Sequence, residues 1–334
     1  MTLRRHMKKL LTLGAAATLA AGVVATAGAA EPSLVLDWES EGQRTLPDAP
    51  PPDWAKEYDP SIRHDNGEPQ ARVAKAPDPV RAGEYSARFE LRKDDPAING
   101  GTRSELSGDF LTGEHWYGFS TYLRDWDPDR ASDIVTQWHQ HWDVGSSPPL
   151  SINTRKGHWE ISQNWEDHQE QTDLGAYETN KWTDWVVHVK WSSGDDGVLQ
   201  IWKDGEPVPG FENRTGKNTY NDDRGNYMKI GIYKWPWSQG KPSDTDRRVL
   251  FHDEVRVMGA DGSYEAVAPA GGTPSPAAGK KSTGEVSTDK ASTDEAAADK
   301  DASGAKTGAG AKTGAGAKTG AGAKTGAGAA AAGR

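Results

Sequence analysis

Polar and apolar residues alternate in short runs along the middle of the chain, and helical spacing is nearly absent. YSARFELR (85–92), WYGFSTYL (116–123), DIVTQWHQHW (133–142), HWEISQNW (158–165), WTDWVVHVKW (182–191), NYMKIGIY (226–233) and VLFHDEVRVMG (249–259) all follow the two-residue period of a half-buried strand. SLVLDWE (33–39) opens the series as another strand. In VLQIWKDGEPV (198–208), Asp204-Gly205 supplies the positive-φ turn of a hairpin. Short strands punctuated by Gly, Pro and Asp predict an all-β sandwich rather than an α/β fold. Residues 40–80, rich in Pro and charge, are expected to be a long irregular excursion that covers one end of the sandwich.

Alternation also sorts side chains onto faces. In NYMKIGIY the Met228, Ile230 and Ile232 face must be core, so Tyr227, Lys229, Gly231 and Tyr233 line the outside of a sheet. Gly231 there is expected to leave room for something to approach the backbone. In GTRSELSG, Arg103 and Glu105 share a face. In TQWHQHW (136–142), Gln137, His139 and His141 share one face, and Trp138, Gln140 and Trp142 the other. Imidazole, amide and imidazole in a row are poor core material. Arg, Glu, Gln, His, Lys and Tyr on outer sheet faces therefore predict a polar groove.

The ends of the chain read differently. MTLRRHMKKL carries four basic residues and no acidic ones, and a run of Ala, Leu, Gly and Val follows, ending in Ala-x-Ala. Residues 1–30 are expected to be a secretory signal, so that the rest is exported and extracellular with no membrane segment after its removal. From about residue 270 the chain turns to Ala, Gly, Ser, Thr, Lys and Asp and closes on four AKTGAG repeats. A segment of that composition cannot bury enough apolar surface to offset chain entropy, so 270–334 is expected to be a disordered tail. The globular domain is then 31–269. With no cysteine anywhere, it must be held by packing alone.

Charge narrows the partners. The chain is −10 overall; the signal carries +4 and the tail a net +3, which leaves −17 on the middle. Global charge therefore argues against nucleic acid as a partner. It also counts against a polyanion unless the groove is locally basic, for which Arg155, Lys156 and Lys234 are candidates. All 14 tryptophans fall in the middle; most are expected in the core, with some free to stack on sugar.

RSEL (103–106), QWH (137–139) and YMKIGIY (227–233) resemble the three signature strands of jelly-roll polysaccharide lyases, and the phrases AGEYSARFELR, HWYGFSTYLRDW, PPLSI, KWTDWVVHVKWSSGDDGVLQIWKDG and FHDEVRV are similar to the glucuronan lyase and heparin-lyase-I-like group. The resemblance runs over about residues 33–258. It departs from the alginate lyase pattern in two places: serine follows RSEL in place of arginine, and tryptophan is the middle residue of QWH.

The resemblance implies a concanavalin-like β-jelly-roll with a concave substrate groove. It implies a monomeric enzyme that cleaves a 4-linked uronic-acid polysaccharide by β-elimination. A glucuronan-like substrate comes first; heparin, heparan sulfate or alginate is the alternative. The proton at C5 is too weakly acidic to leave unless the carboxylate is neutralised. Gln137 and Arg103, with His139 near, are expected to do that. Tyr233 is expected as base and acid, its pKa depressed from about 10 by Arg103 or Lys229. This suits glucuronate, where H5 and O4 lie on one side; for guluronate or iduronate, His139 would be base and Tyr233 acid. Lys229, Glu105, Tyr227, His141, Trp138 and Trp235 are expected to contact substrate. No catalytic cofactor is required in this scheme. The resemblance also implies a structural Ca²⁺ away from the groove, for which Glu39 (or Asp37) and Asp253 on the first and last strands are the candidates.

Two other classes fit a sandwich. A retaining glycoside hydrolase would place paired carboxylates on one strand face as E-x-D-x-x-E; that spacing is missing from every strand, and DLGAYE (173–178) reads as loop. A non-catalytic carbohydrate-binding module could use Trp235 and Trp237, but it would not need Gln, His, Arg, Lys and Tyr together.

Overall fold

The computed structural model describes residues 31–145 and 147–270. The expected signal and nearly all of the expected tail lie outside the described residues. In chain order the strands are β1 (Leu34–Leu36), β2 (Ala55–Glu57), β3 (Ala71–Lys75), β4 (Tyr85–Arg92), β5 (Arg103–Leu111), β6 (Glu114–Arg124), β7 (Asp133–His139) and β8 (Leu150–Arg155). There follow β9 (His158–Trp165), β10 (His168–Ala176), β11 (Trp182–Lys190), β12 (Val198–Lys203), β13 (Glu206–Pro207), β14 (Arg214–Thr215), β15 (Asn226–Tyr233) and β16 (Arg247–Met258). Helices are single turns, α1 (Trp235–Ser238) and α2 (Tyr264–Val267), besides a 3₁₀ turn at Glu41–Gln43. No helix among the described residues is long and apolar enough to cross a membrane.

Two antiparallel sheets face each other as a β-jelly-roll sandwich. One has the order β13-β12-β11-β6-β16-β4-β3, with β1 beside β16 and β14 beside β12; the other has the order β10-β9-β8-β7-β15-β5-β2. The core between them takes the apolar face of each strand: Met228, Ile230 and Ile232 from β15, Trp159 and Ile161 from β9, Phe119 from β6, Trp185 from β11. Trp38, Trp126, Trp138, Trp159 and Trp185 are among the largest fully buried side chains, so the core absorbs much of the tryptophan.

Several strands end where alternation places them, β4, β9 and β15 to the residue. The hairpin turn carries Asp204 at φ 52° and Gly205 at φ 87°, as a primed turn requires. Three expectations need correction. The excursion at 40–80 supplies a strand to each sheet, β2 at the edge of one and β3 at the edge of the other. Residues 168–176 form β10, so the first four residues of DLGAYE are strand; Gln, Asp and Glu line it because it is an outer edge with little to bury. The 133–142 run leaves the sheet at His139, after which His141 opens a turn closed by the Val144 amide on its carbonyl, 3.1 Å.

Candidate active site

The outward face of β5, β15 and β7 is ordered in rows across the strands. Arg103 pairs with Tyr233, Glu105 with Gly231, Ser107 with Lys229 and Gln137, and Phe110 with Tyr227 and His139. β2 adds Glu57 opposite Glu105. A bulge between Tyr227 and Lys229 puts Phe110 on this face, where strict alternation from Arg103 would have turned it into the core.

The middle rows hold a buried charge network. Arg103 Nη1 donates to Glu57 Oε2 at 2.9 Å and Glu105 Oε2 at 3.2 Å; Lys229 Nζ lies 2.6 Å from Glu57 Oε1; Gln137 Nε2 donates to Glu105 Oε1 at 2.6 Å. Asn99 adds a weaker donor to Glu57 at 3.3 Å. The two carboxylates respond oppositely. Burial would raise both, but at Glu57 the attraction of Lys229 and then Arg103 outweighs it and holds the pKa below its usual value. At the deeper Glu105 burial wins and the pKa is raised. The floor thus sets two cations, Arg103 and Lys229, beside two carboxylates, of which only Glu57 is favoured in its charged form. Two buried polar atoms of this network have no partner, Arg103 Nε and Gln137 Oε1.

His139 and Tyr233 flank the network. His139 Nδ1 donates to Gln140 O at 2.7 Å, which fixes the tautomer and leaves Nε2 with its lone pair and no partner among the described residues. Burial, aided by Lys229 and Arg103, pushes its pKa down to about 4, so the ring is neutral at physiological pH. Tyr233 lies under the Arg103 guanidinium, 4.0 Å from ring centroid to Cζ. The expectation that this cation depresses the phenol is corrected: burial outweighs it and the pKa is raised. The ring fits because residue 101 is glycine, where a Cβ would come within 2.4 Å of it. The tyrosine beside His139 is Tyr227, with ring centroids 5.7 Å apart; Tyr233 pairs instead with Ile134, five positions back along β7.

Other expected residues land elsewhere. Trp138 points into the core, fully buried and edge-on to Tyr117 at 5.3 Å, because the residue between two groove positions must face inward. His141 has left the strand; it pairs with Asp143 at 2.8 Å and packs on Phe110 at 5.9 Å. Trp235 starts α1, half-buried beyond the Tyr233 end of β15. Lys234 cannot make the groove basic, since it is buried against Asp133 at 2.7 Å and Asp129 at 3.0 Å. Arg155 and Lys156 sit at the tight β8–β9 turn. Gly231 leaves room for the neighbouring strand rather than for a ligand: at φ 124°, a Cβ would stand 2.3 Å from Ser104 O. Gln137, expected to meet the substrate carboxylate, is fully buried and spends its amide donor on Glu105.

The residues suggested for Ca²⁺ do not form a ligand set as they stand. Asp253 accepts from the Arg81, Ala82 and Glu254 amides and Glu39 from those of Glu84 and Tyr85, so both carboxylates anchor the loop before β4. Asp37 accepts from the Glu39 amide. No group of three or more His, Cys, Asp or Glu suited to a metal occurs among the described residues. Sequence reasoning missed Glu57 and Asn99, which lie in segments without strand periodicity, and Phe110, hidden by the bulge.

A jelly-roll whose polar sheet face gathers Arg, Lys, Gln, His and Tyr around buried carboxylates is the architecture of a polysaccharide-degrading enzyme. Residues 56–256 match the sequence model of the family described as polysaccharide lyase, and the chain belongs to that family. Among solved structures it is similar to an endo-β-1,4-glucuronan lyase from the fungus Trichoderma reesei, at 21% identity over 65% of this chain and 98% of that one, with a TM-score of 0.51. A family 7 alginate lyase superposes at a TM-score of 0.43, with 16% identity over 62% of this chain and 94% of that one. No curated protein sequence matches the chain.

Proposed function

We propose that the chain is a secreted, monomeric lyase that cleaves a 4-linked uronic-acid polysaccharide, glucuronan-like, by β-elimination to unsaturated oligosaccharides. The observation that carries this reading is the buried Glu57–Arg103–Glu105–Lys229 network, which brings two cations to the floor between His139 and Tyr233. A uronate carboxylate arriving over that floor is attracted by the Arg103 guanidinium and the Lys229 ammonium. Neutralised, it accepts the charge that develops as C5 loses its proton. The C5 electron pair then forms the C4–C5 double bond, and the O4 leaving group departs with a proton from an acid on the enzyme. In this reading the charge stabilisation comes from the two cations, and Glu57 and Gln137 position them. The departures from the alginate lyase motifs, and the activity named for the Trichoderma reesei neighbour, support glucuronan over alginate.

On a glucuronate chain Tyr233 would serve as base and then acid, with Arg103 over its ring to stabilise the phenolate. A second division of labour is favoured by His139, neutral and with a free Nε2. There His139 takes the C5 proton and a tyrosine held protonated by burial delivers one to O4. Tyr227, also raised by burial, stands in the same row.

The test is to mix the purified protein with glucuronan, alginate, heparin and heparan sulfate and follow the ultraviolet absorbance of the conjugated double bond. Glucuronan should give the fastest rise. New reducing ends without that absorbance would mean hydrolysis, and retention without cleavage would mean a binding module; either sinks the proposal.

A further inference from the structure

Phe110 and Trp142 are two of the three large apolar residues exposed among the described residues, at 41% and 79%. Both belong to an unbroken aromatic run that leaves the groove floor. From His139 it passes to Tyr227, from Tyr227 to Phe110 at 4.5 Å, from Phe110 to His141 at 5.9 Å, and from His141 to Trp142 at 5.6 Å. A bulge is what turns Phe110 outward, and the end of β7 at His139 is what frees Trp142 from the inward face its strand position would have given it. The turn that carries Trp142 is braced. Asp143 Oδ1 accepts from His141 Nδ1 at 2.8 Å and from Arg224 Nη2 at 2.7 Å, Arg224 Nε donates to Asp222, and Tyr220 packs where any side chain at Gly145 would stand. Exposed aromatic surface that is braced, rimmed by polar groups and continuous with a catalytic groove marks a ligand contact.

We propose that Phe110 and Trp142 form a distal subsite, at the His139 end of the groove, that stacks the apolar C–H faces of pyranose rings of the uronan chain beyond the bond being cut. This rests on the lyase reading above. The rings carry no charge, so they hold the sugar body while the carboxylates project from its edge. The subsite acts on chain length: Phe110, the next ring after Tyr227, is met first, and Trp142, two aromatic steps further out, is reached only by a longer chain.

Wild type, Trp142→Ala, Phe110→Ala and the double variant of the full chain are compared in two ways. Lyase rates are measured on glucuronan and on its trisaccharide, and binding is measured by migration in gels containing glucuronan. The double variant should raise KM on polymer about tenfold or more, from the loss of two stacking contacts. Its kcat/KM should fall far less on the trisaccharide, and its retardation in the gel should weaken. Polymer should also shield the acrylamide-accessible tryptophan emission of the wild type and have little effect on that of Trp142→Ala. Equal losses on both substrates, or a double variant retarded and shielded like the wild type, would overturn the subsite. If the wild type forms no unsaturated product on any uronan yet is retarded through Trp142, the lyase reading fails and the subsite stands. If it is not retarded either, both fall.

Discussion

The Lys229 ammonium reaches across β5 to lie 2.6 Å from the Glu57 carboxylate, joining two strands that are not neighbours in the sheet. Glu57 comes from a three-residue edge strand, so this contact and the one from Arg103 tie the edge to the groove floor. Glu57→Ala leaves two cations buried without it. Breaking a buried ion pair from one side costs about 3–5 kcal/mol. Denaturant unfolding should show a loss of that order together with a large drop in turnover; unchanged stability would mean that the network is not formed in solution.

The two tyrosines are separable. If elimination runs through Tyr233, Tyr233→Phe abolishes formation of unsaturated product and leaves polymer binding nearly intact, while Tyr227→Phe keeps measurable rate. If His139 is the base with Tyr227 as acid, the outcomes exchange. His139→Asn retains more activity than His139→Ala only where His139 acts as a hydrogen-bond donor; where it takes the proton, the two are equally inactive.

Gln137 orients Glu105 and faces the arriving carboxylate only through its neighbours. Gln137→Ala, which removes the donor to Glu105, should lower kcat by less than the about 10²–10³ that follows loss of a donor placed directly at developing charge. A KM effect alone would reassign it to binding.

The pH profile carries the signature of His139. With its pKa held down to about 4, the imidazole is already neutral in mildly acidic solution. The acid limb of kcat/KM should therefore fall near pH 4 rather than near the ordinary histidine value of about 6.5. The raised phenol of Tyr233 keeps the acid form available, so the alkaline limb should lie above the ordinary tyrosine value. An acid limb near 6.5 would place His139 in a solvated setting and refute the burial argument.

Stability has its own pH dependence through His252, buried between the sheets with Nε2 3.0 Å from Val135 O and Nδ1 3.2 Å from Ser120 O. Burial pushes its pKa down to about 4. Between that value and the unfolded one, about 6.5, the unfolded chain binds more protons, so this histidine's contribution falls as pH drops through that window. Melting temperature should decline on acidification across it, and less steeply in His252→Gln after subtraction of the pH-independent loss.

Cutting the chain after Ala270 should preserve activity on soluble polymer, since 271–334 holds no aromatic residue with which to join the core. Cutting before Tyr264 should not. Val267 is fully buried over Gly118, where a Cβ would lie 1.7 Å from Val267 O, and Arg256 Nη1 donates to Ala268 O at 2.9 Å. Light scattering and thermal melts of the two truncations check this boundary.

Alternation by itself determined the all-β sandwich, the ends of β4, β9 and β15, and the face on which Arg103, Glu105, Gln137, Lys229 and Tyr233 stand. A two-residue period is a local property, and a strand with one apolar face has one way to turn it. What alternation cannot carry is a break in its own period or a contact between distant segments. The bulge that exposes Phe110, the exit of the chain at His139, and the seating of Lys234 against two aspartates all follow from packing between strands far apart in sequence. Burial likewise decided the direction in which these groups shift, because the balance between desolvation and neighbouring cations at Tyr233, Glu57 and Glu105 depends on depth, which no linear pattern records. Glu57 came to the floor only through the tertiary fold, from a stretch whose sequence has no strand signal, held there by the two cations it pairs with.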